Sequence, residues 1–127
     1  MIYKNELKYR QAVVKALKSR GWFVQLIEVG ATNRGVPDTV MIKGGRMIWV
    51  EYKNQPWTPP TPKVKVDYRP GQQAWMYEWK RRGGECCTIA AIKDKMFCSF
   101  FSKVIQDNML TVKYYSTINE MLDGVGL

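Results

Sequence analysis

The sequence predicts a single α/β domain in which helices flank a central mixed β-sheet, in the order helix, strand, strand, strand, helix, strand. Apolar residues recur at helical spacing over residues 3–20 and 70–82. Runs rich in β-branched and aromatic residues lie between these helices, at 22–29, 39–42 and 47–50. A wholly apolar run at 87–92 is typical of a central strand that is covered on both faces.

The composition fits one folded domain of 127 residues, since 46% of the residues are hydrophobic and 13% are aromatic. The net charge of +9, from 20 basic and 11 acidic residues, indicates a polyanionic partner, with nucleic acid the first candidate. The alternative is a basic protein without such a partner. No run of 18 apolar residues, lipid-anchor motif or signal-peptide pattern is present, so we expect a cytoplasmic protein with no membrane partner.

The chain contains no histidine, and its three cysteines lack metal-ligand spacing. We therefore expect free, buried thiols in a reducing compartment. Without histidine, Ser-His-Asp and Cys-His catalysis are excluded, as is a histidine general base. Any chemistry must use carboxylates, lysine and a metal.

The first helix is expected to end at Gly21, a common stop residue. Glu6 lies beside the apolar stripe of this helix. Its carboxylate either has a functional role or only stabilises the positive end of the helix dipole. The loop after the first strand carries Asn33 and Arg34 towards the next strand. Arg34 either contacts a phosphate there or is an ordinary solvated arginine.

A β-hairpin is predicted around Gly44-Gly45, because glycine reaches the positive φ that hairpin turns require. Strand side chains alternate between faces, so Glu51 and Lys53 share one face of the second strand. Asp38 directly precedes the first strand of the hairpin, and it falls near Glu51 and Lys53 when the two hairpin strands pair. Two carboxylates and one amine converging at this end predict a divalent-metal site; the alternative is a surface salt-bridge ladder.

A proline-rich stretch, 54–65, follows the hairpin and excludes a central strand or helix there. This stretch either binds a nucleic-acid strand through Trp57, Lys63 and Lys65 or is a surface loop that only connects a strand to the next helix. In the second helix, Gln72 lies three residues before Trp75 on the same side, which points to a functional contact. Residues 96–105 fit a strand or a helix, 109–115 a strand, and 117–120 have capping-box spacing for a terminal helix.

Pro37-Asp38 and Glu51-Tyr52-Lys53, with twelve residues between them, resemble the PD-(D/E)XK nuclease motif. The segments 35–38 and 50–53, the glutamine-bearing helix from Gln72 and the helical acid Glu6 are similar to those of the virus-type replication-repair nuclease (VRR-NUC) family. The resemblance covers a core of about residues 3–92 within one domain spanning 1–127, and leaves 93–127 as a C-terminal extension. It implies a restriction-endonuclease-like fold.

The resemblance implies that Asp38, Glu51, the Tyr52 carbonyl and Glu6, directly or through water, bind Mg²⁺, with Mn²⁺ as an alternative. Lys53 would position the attacking water and stabilise developing charge, and Gln72 would hold water, metal or Lys53. Small stand-alone relatives of this kind are similar to phage-encoded, homodimeric Holliday-junction resolvases. We therefore expect a structure-selective endonuclease that acts on branched DNA; the alternatives are a nuclease of ordinary duplex DNA and a catalytically silent nucleic-acid-binding module.

Overall fold

The computed structural model describes residues 2–27, 35–55, 63–102 and 109–127. The predicted nucleic-acid contacts Asn33, Arg34 and Trp57 lie outside these residues. Within the described ranges, no helix is both long and apolar enough to span a bilayer.

The chain folds into three helices and seven strands within the described residues: α1 (Glu6–Ser19), β1 (Phe23–Leu26), β2 (Thr39–Lys43), β3 (Arg46–Gln55), β4 (Lys63–Lys65), α2 (Gln72–Arg81), β5 (Glu85–Ile92), β6 (Lys95–Phe100), β7 (Met109–Thr111) and α3 (Ile118–Gly124). The predicted order of the first elements is found, with the short strand β4 added before α2. Asn5 caps α1, so this helix begins three residues later than the periodicity predicts.

The central sheet has five strands in the order β1-β2-β3-β5-β6. Strands β3 and β5 are parallel, and the other neighbouring pairs are antiparallel, so the sheet is mixed as predicted. Strands β4 and β7 form a separate antiparallel pair. Because β6 pairs with β5 along its length, residues beyond 92 complete the central sheet and are more than an appendage to it.

Helices α1 and α3 cover one face of the sheet, which we call the α1 face. The buried side chains of α1, Tyr9, Val13 and Leu17, pack there against inward-facing residues of β2, β3 and β5. The hydroxyl of Tyr9 donates to the carbonyl of Ala90, which fixes the helix to β5. Burial of this apolar stripe accounts for the docking of α1, since side chains at helical spacing share one side of the helix.

Helix α2 and the β4-β7 pair cover the opposite face, which we call the α2 face. Trp49 of β3 contacts both Trp75 and Trp79 of α2, with ring centroids 5.1 and 5.8 Å apart. Strand residues alternate, so the residues two and four positions after Trp49, Glu51 and Lys53, also face this side. The packing of α2 thereby places its first turn over those two side chains.

Candidate active site

The candidate site lies at the end of the β2-β3 hairpin that is opposite its turn. Thr39 pairs with Val50, so Asp38 enters β2 just beside Glu51. A carboxylate oxygen of Asp38, Oδ2, accepts the backbone N–H of Tyr52 at 3.0 Å. The Asp38 carboxylate thus takes the hydrogen bond that a further residue of β2 would have made to β3. The structure brings Asp38, Glu51 and Lys53 together, as the alternation predicts.

Gln72 connects the other two side chains. Its amide nitrogen donates to Oε2 of Glu51 at 2.6 Å, and its amide oxygen accepts Nζ of Lys53 at 2.9 Å. Nζ of Lys53 is also 3.2 Å from the same glutamate oxygen. Glu51, Lys53 and Gln72 are 1%, 6% and 1% exposed, so water does not weaken these contacts much.

Two glycines position Gln72 at the start of α2. Gly71 has a φ of +88° and the glutamine follows it as the first helical residue. Gly35 also has a φ of +88°, and a Cβ at that position would overlap the carbonyl oxygen of Gly71. Glycine is therefore required at 35 both for its backbone conformation and for the close approach of the loop before β2 to α2.

The carboxyl of Glu51 is electrostatically unusual. Burial, followed by repulsion from Asp38, raises the pKa of Glu51 from 4.5 to about 7, although Lys53 and Gln72 act in the opposite direction. Its second oxygen, Oε1, is buried without a hydrogen-bond partner among the described residues. A buried oxygen without a partner costs free energy, and a cation would relieve both that cost and the repulsion between the two carboxylates.

The donor set fits a hard divalent cation. Mg²⁺ prefers oxygen ligands and commonly binds through one or two carboxylates while it keeps several waters. Asp38, Glu51 with its free Oε1, and the carbonyl of Tyr52 are the groups that would hold it. The N–H of Tyr52 points to Asp38, and a strand residue directs its N–H and C=O to the same neighbour, so this carbonyl faces the same edge.

Glu6 lies outside the hydrogen-bonded group. It is the exposed first residue of α1 and approaches Asp38 from the α1 face, whereas Glu51 and Lys53 face α2. Partial desolvation and the charge of Asp38 raise its pKa, which shows that it lies within electrostatic reach. No set of three or more cysteine or acidic residues within the described ranges is close enough to hold a metal, so contact of Glu6 with an ion stays a prediction.

Arg69 is a site residue that sequence reasoning missed. Its guanidinium Nη2 is 3.8 Å from Oδ1 of Asp38 and 3.8 Å from Oε2 of Glu51, and its side chain is 66% exposed. Its backbone N–H donates to the amide oxygen of Gln72 at 2.8 Å. The available signal was its position three residues before Gln72, at the entrance to a helix already predicted to reach the site.

Lys63 and Lys65, the remaining predicted nucleic-acid contacts, lie on β4 with exposed side chains. Strand β4 is tied to the end of β3, because the side-chain amide of Gln55 donates to the carbonyl of Lys65 at 3.0 Å. Both lysines therefore stand beside the carboxyl end of β3, downstream of Lys53. Their contact with DNA stays a prediction.

The fold has a counterpart among solved structures. The chain is similar to Hjc of Archaeoglobus fulgidus, a Holliday junction resolvase from an archaeal hyperthermophile, with a TM-score of 0.57 and 12% identity over 87% of each chain. The chain has a restriction-endonuclease-like fold. This confirms the predicted fold class.

At 12% identity the likeness concerns the fold and not the activity. No protein-family model and no curated protein sequence matches the chain. The assignment to the VRR-NUC family, and to its phage-type members, therefore stays a prediction that rests on the motifs.

Proposed function

We propose that this protein is a Mg²⁺-dependent endonuclease that hydrolyses phosphodiester bonds of branched DNA, with the four-way Holliday junction as its substrate. The observation that carries the proposal is the buried, unpartnered Oε1 of Glu51 beside Asp38 and Lys53. A buried carboxylate oxygen without a hydrogen-bond partner is energetically unfavourable, and a bound cation would remove that cost. The resemblance in fold to a Holliday junction resolvase and the net charge of +9 support DNA as the substrate.

The residues of the site have distinct roles in the proposed reaction. A bound Mg²⁺ would supply Lewis-acid stabilisation of the phosphoryl group and an activated water. Lys53 is held between Gln72 and Glu51, and its Nζ would stabilise developing charge on the reacting phosphate and orient the attacking water. Gln72 fixes the direction of both Lys53 and Glu51, and so pre-organises the group before substrate binds.

We further propose that the protein acts as a homodimer. The part of the chain that the structure describes carries one such site, and symmetric incision of a junction requires a cut in each of two strands. A two-fold assembly would place two sites in equivalent positions on a symmetric junction.

The test is cleavage of labelled four-way junction, flap, linear duplex and single-stranded DNA by the pure protein in Mg²⁺ or Mn²⁺. We expect paired cuts in the junction and little cleavage of duplex with the same sequence. Asp38→Asn, Glu51→Gln and Lys53→Ala should each abolish cleavage while junction binding in EDTA stays measurable. Asp94→Asn and Lys80→Ala, exposed or half-exposed residues away from the site, are the matched controls and should cut normally.

The outcomes separate the alternatives. Near-normal cleavage by any of the three site variants would overturn the site assignment. Equal cleavage of junction and linear duplex would make the protein a nuclease of ordinary duplex DNA. Binding without cleavage in either metal would make it a silent nucleic-acid-binding module.

A further inference from the structure

A groove lies on the α1 face between α1 and β1, with a volume of about 690 Å³. Its floor is apolar and includes Val14, Val24 and Leu26, and its wall is one side of α1 that carries Arg10, Lys15 and Lys18. No acidic residue is among the described residues that line it. The groove therefore combines a positive rim with an open, apolar floor, which suits a polyanion better than a peptide of mixed charge.

Two cations of the groove, Lys15 and Lys18, can be reached by a ligand. Within the described residues, neither Lys15 nor Lys18 forms an ion pair, whereas the neighbouring Arg20 is bound to Asp123 at 2.7 Å. Lys15 and Lys18 are exposed, and the buried stripe of α1 lies on a different side of the helix. Their charges are therefore available to a ligand.

The groove reaches the candidate site at one end. Thr39, which directly follows Asp38, lines it, and Oγ1 of Thr39 donates to the buried hydroxyl of Tyr52 at 3.4 Å. Arg10 lines the same end and lowers the pKa of Glu6 against the larger effects that raise it. A ligand in the groove would thus end next to Asp38, the residue before Thr39.

The length of the basic wall corresponds to a few nucleotides of a nucleic-acid strand. From Arg10 to Lys18 the helix rises about 12 Å, at roughly 1.5 Å per residue. One DNA strand presents a phosphate about every 3.4 Å along the duplex axis, so this rise covers about three to four nucleotide steps.

We propose that this groove binds the phosphate backbone of one arm of the DNA substrate, leading from the scissile phosphate at Asp38 along α1 to Lys18. The proposal rests on the proposed nuclease function and adds to it the location of the arm. Phosphate contacts of this kind position a duplex without reading its sequence. Lys15 and Lys18 are accordingly expected to set affinity and the register of the arm.

The test compares Lys15→Ala/Lys18→Ala with Lys80→Ala/Lys95→Ala, a control that removes the same charge from α2 and β6, outside the groove. Binding of a labelled four-way junction is measured in EDTA over about 50 to 200 mM salt. We expect the groove variant to bind about 10- to 100-fold more weakly and its salt-dependence slope to be smaller by about 1.8, since each lost phosphate contact removes about 0.9. The control should keep the affinity and cleavage of the wild type.

A hydroxyl-radical footprint locates the effect. The groove variant should lose protection over about one to two nucleotides on one arm, at the end of the groove away from the cut site, because Lys15 and Lys18 span a rise of about 4.5 Å and phosphates follow one another every 3.4 Å. Lys15→Gln/Lys18→Gln, which removes the charge but keeps the side-chain length, should give the same loss. Circular dichroism checks α1 in both variants, because Lys18 in the last turn also stabilises the helix dipole.

Unchanged affinity, or an equal loss in the control, would overturn the groove as the binding surface while the nuclease proposal stands. Absence of DNA binding and cleavage in the wild type would instead refute the nuclease proposal, and the groove assignment with it. The wild-type measurement thus separates the two failures.

Discussion

Replacement of Glu51 by glutamine should change how stability depends on pH. The pKa of this carboxyl is raised from 4.5 to about 7 in the native protein by burial and by Asp38. Ionisation of Glu51 is therefore harder in the folded chain than in the unfolded chain. The wild type loses stability, relative to Glu51→Gln, as pH rises from about 4.5 through about 7, and no further loss occurs above that range.

The magnitude follows from the size of the shift. A difference of roughly 2.5 pH units at about 1.36 kcal/mol each corresponds to about 3 kcal/mol. Glu51 is only 1% exposed, so solvent screening does not reduce this figure much. The free energy of unfolding of Glu51→Gln minus that of the wild type should thus increase by about 3 kcal/mol between pH 4.5 and pH 8.

The assay is urea denaturation followed by tryptophan fluorescence, in EDTA, at several pH values across this range. Glu85→Gln is a control of opposite sign, since the hydrogen bond from Arg46 lowers the pKa of Glu85. That carboxylate contributes stability above about pH 4.5, so its removal should cost stability at neutral pH and less in acid. A difference between Glu51→Gln and the wild type that does not vary with pH would refute the assignment of Glu51 as a buried, raised-pKa carboxyl.

Three further predictions concern the metal, the glycine contact and the glutamine bridge. Mg²⁺ at 100 times its dissociation constant should stabilise the wild type by about 2.7 kcal/mol at pH 8 but leave Glu51→Gln almost unchanged, as measured by thermal shift. Gly45→Ala should lose about 1–2 kcal/mol in urea denaturation because Gly45 has positive φ, and Gly35→Ala should lose more than that, because its Cβ would also overlap the carbonyl oxygen of Gly71. Only Gly35→Ala should also lose cleavage, since Gly45 has open space around it; equal activities would contradict the proposed contact with Gly71. Gln72→Ala should cost about 1–3 kcal/mol of stability and most of the cleavage rate, and a variant with wild-type kinetics would show that the bridge is dispensable.

The hairpin and its acidic end were predictable because local rules determine them. The glycine pair Gly44-Gly45 sets the turn, and alternation along β3 then puts Glu51 and Lys53 on one face. The inward position of Gln72 could be predicted for the same reason, since helical spacing places it on the same side of α2 as Trp75. These predictions needed only the geometry of one strand or one helix.

Features that depend on tertiary approach were not predictable in this way. The β5-β6 turn has only Lys93 and Asp94 between the paired residues, and Lys93 adopts a φ of 56° without glycine. The segment that follows this turn therefore lacked the usual hairpin signal, and the sequence of residues 96–105 fitted either a strand or a helix. Arg69 reaches Asp38 because α2 docks beside the sheet edge, and its position three residues before Gln72 was the one signal of this in the sequence.

Asp38 lies where side chains from both faces of the sheet come close to one another. Lys53 and Gln72 approach from the α2 face, whereas Glu6 and Arg10 approach from the α1 face. Asp38 lies at the edge of β3 between these two groups, where its carboxylate accepts the Tyr52 N–H. The Tyr52 carbonyl points to the same edge. A phosphodiester bound at this edge can therefore meet the lysine on one side while its flanking strand continues along α1 on the other. Because the buried stripe of α1 and its basic side are distinct, we expect substitutions on the basic side to weaken the proposed DNA binding without disturbing the core that positions the carboxylates.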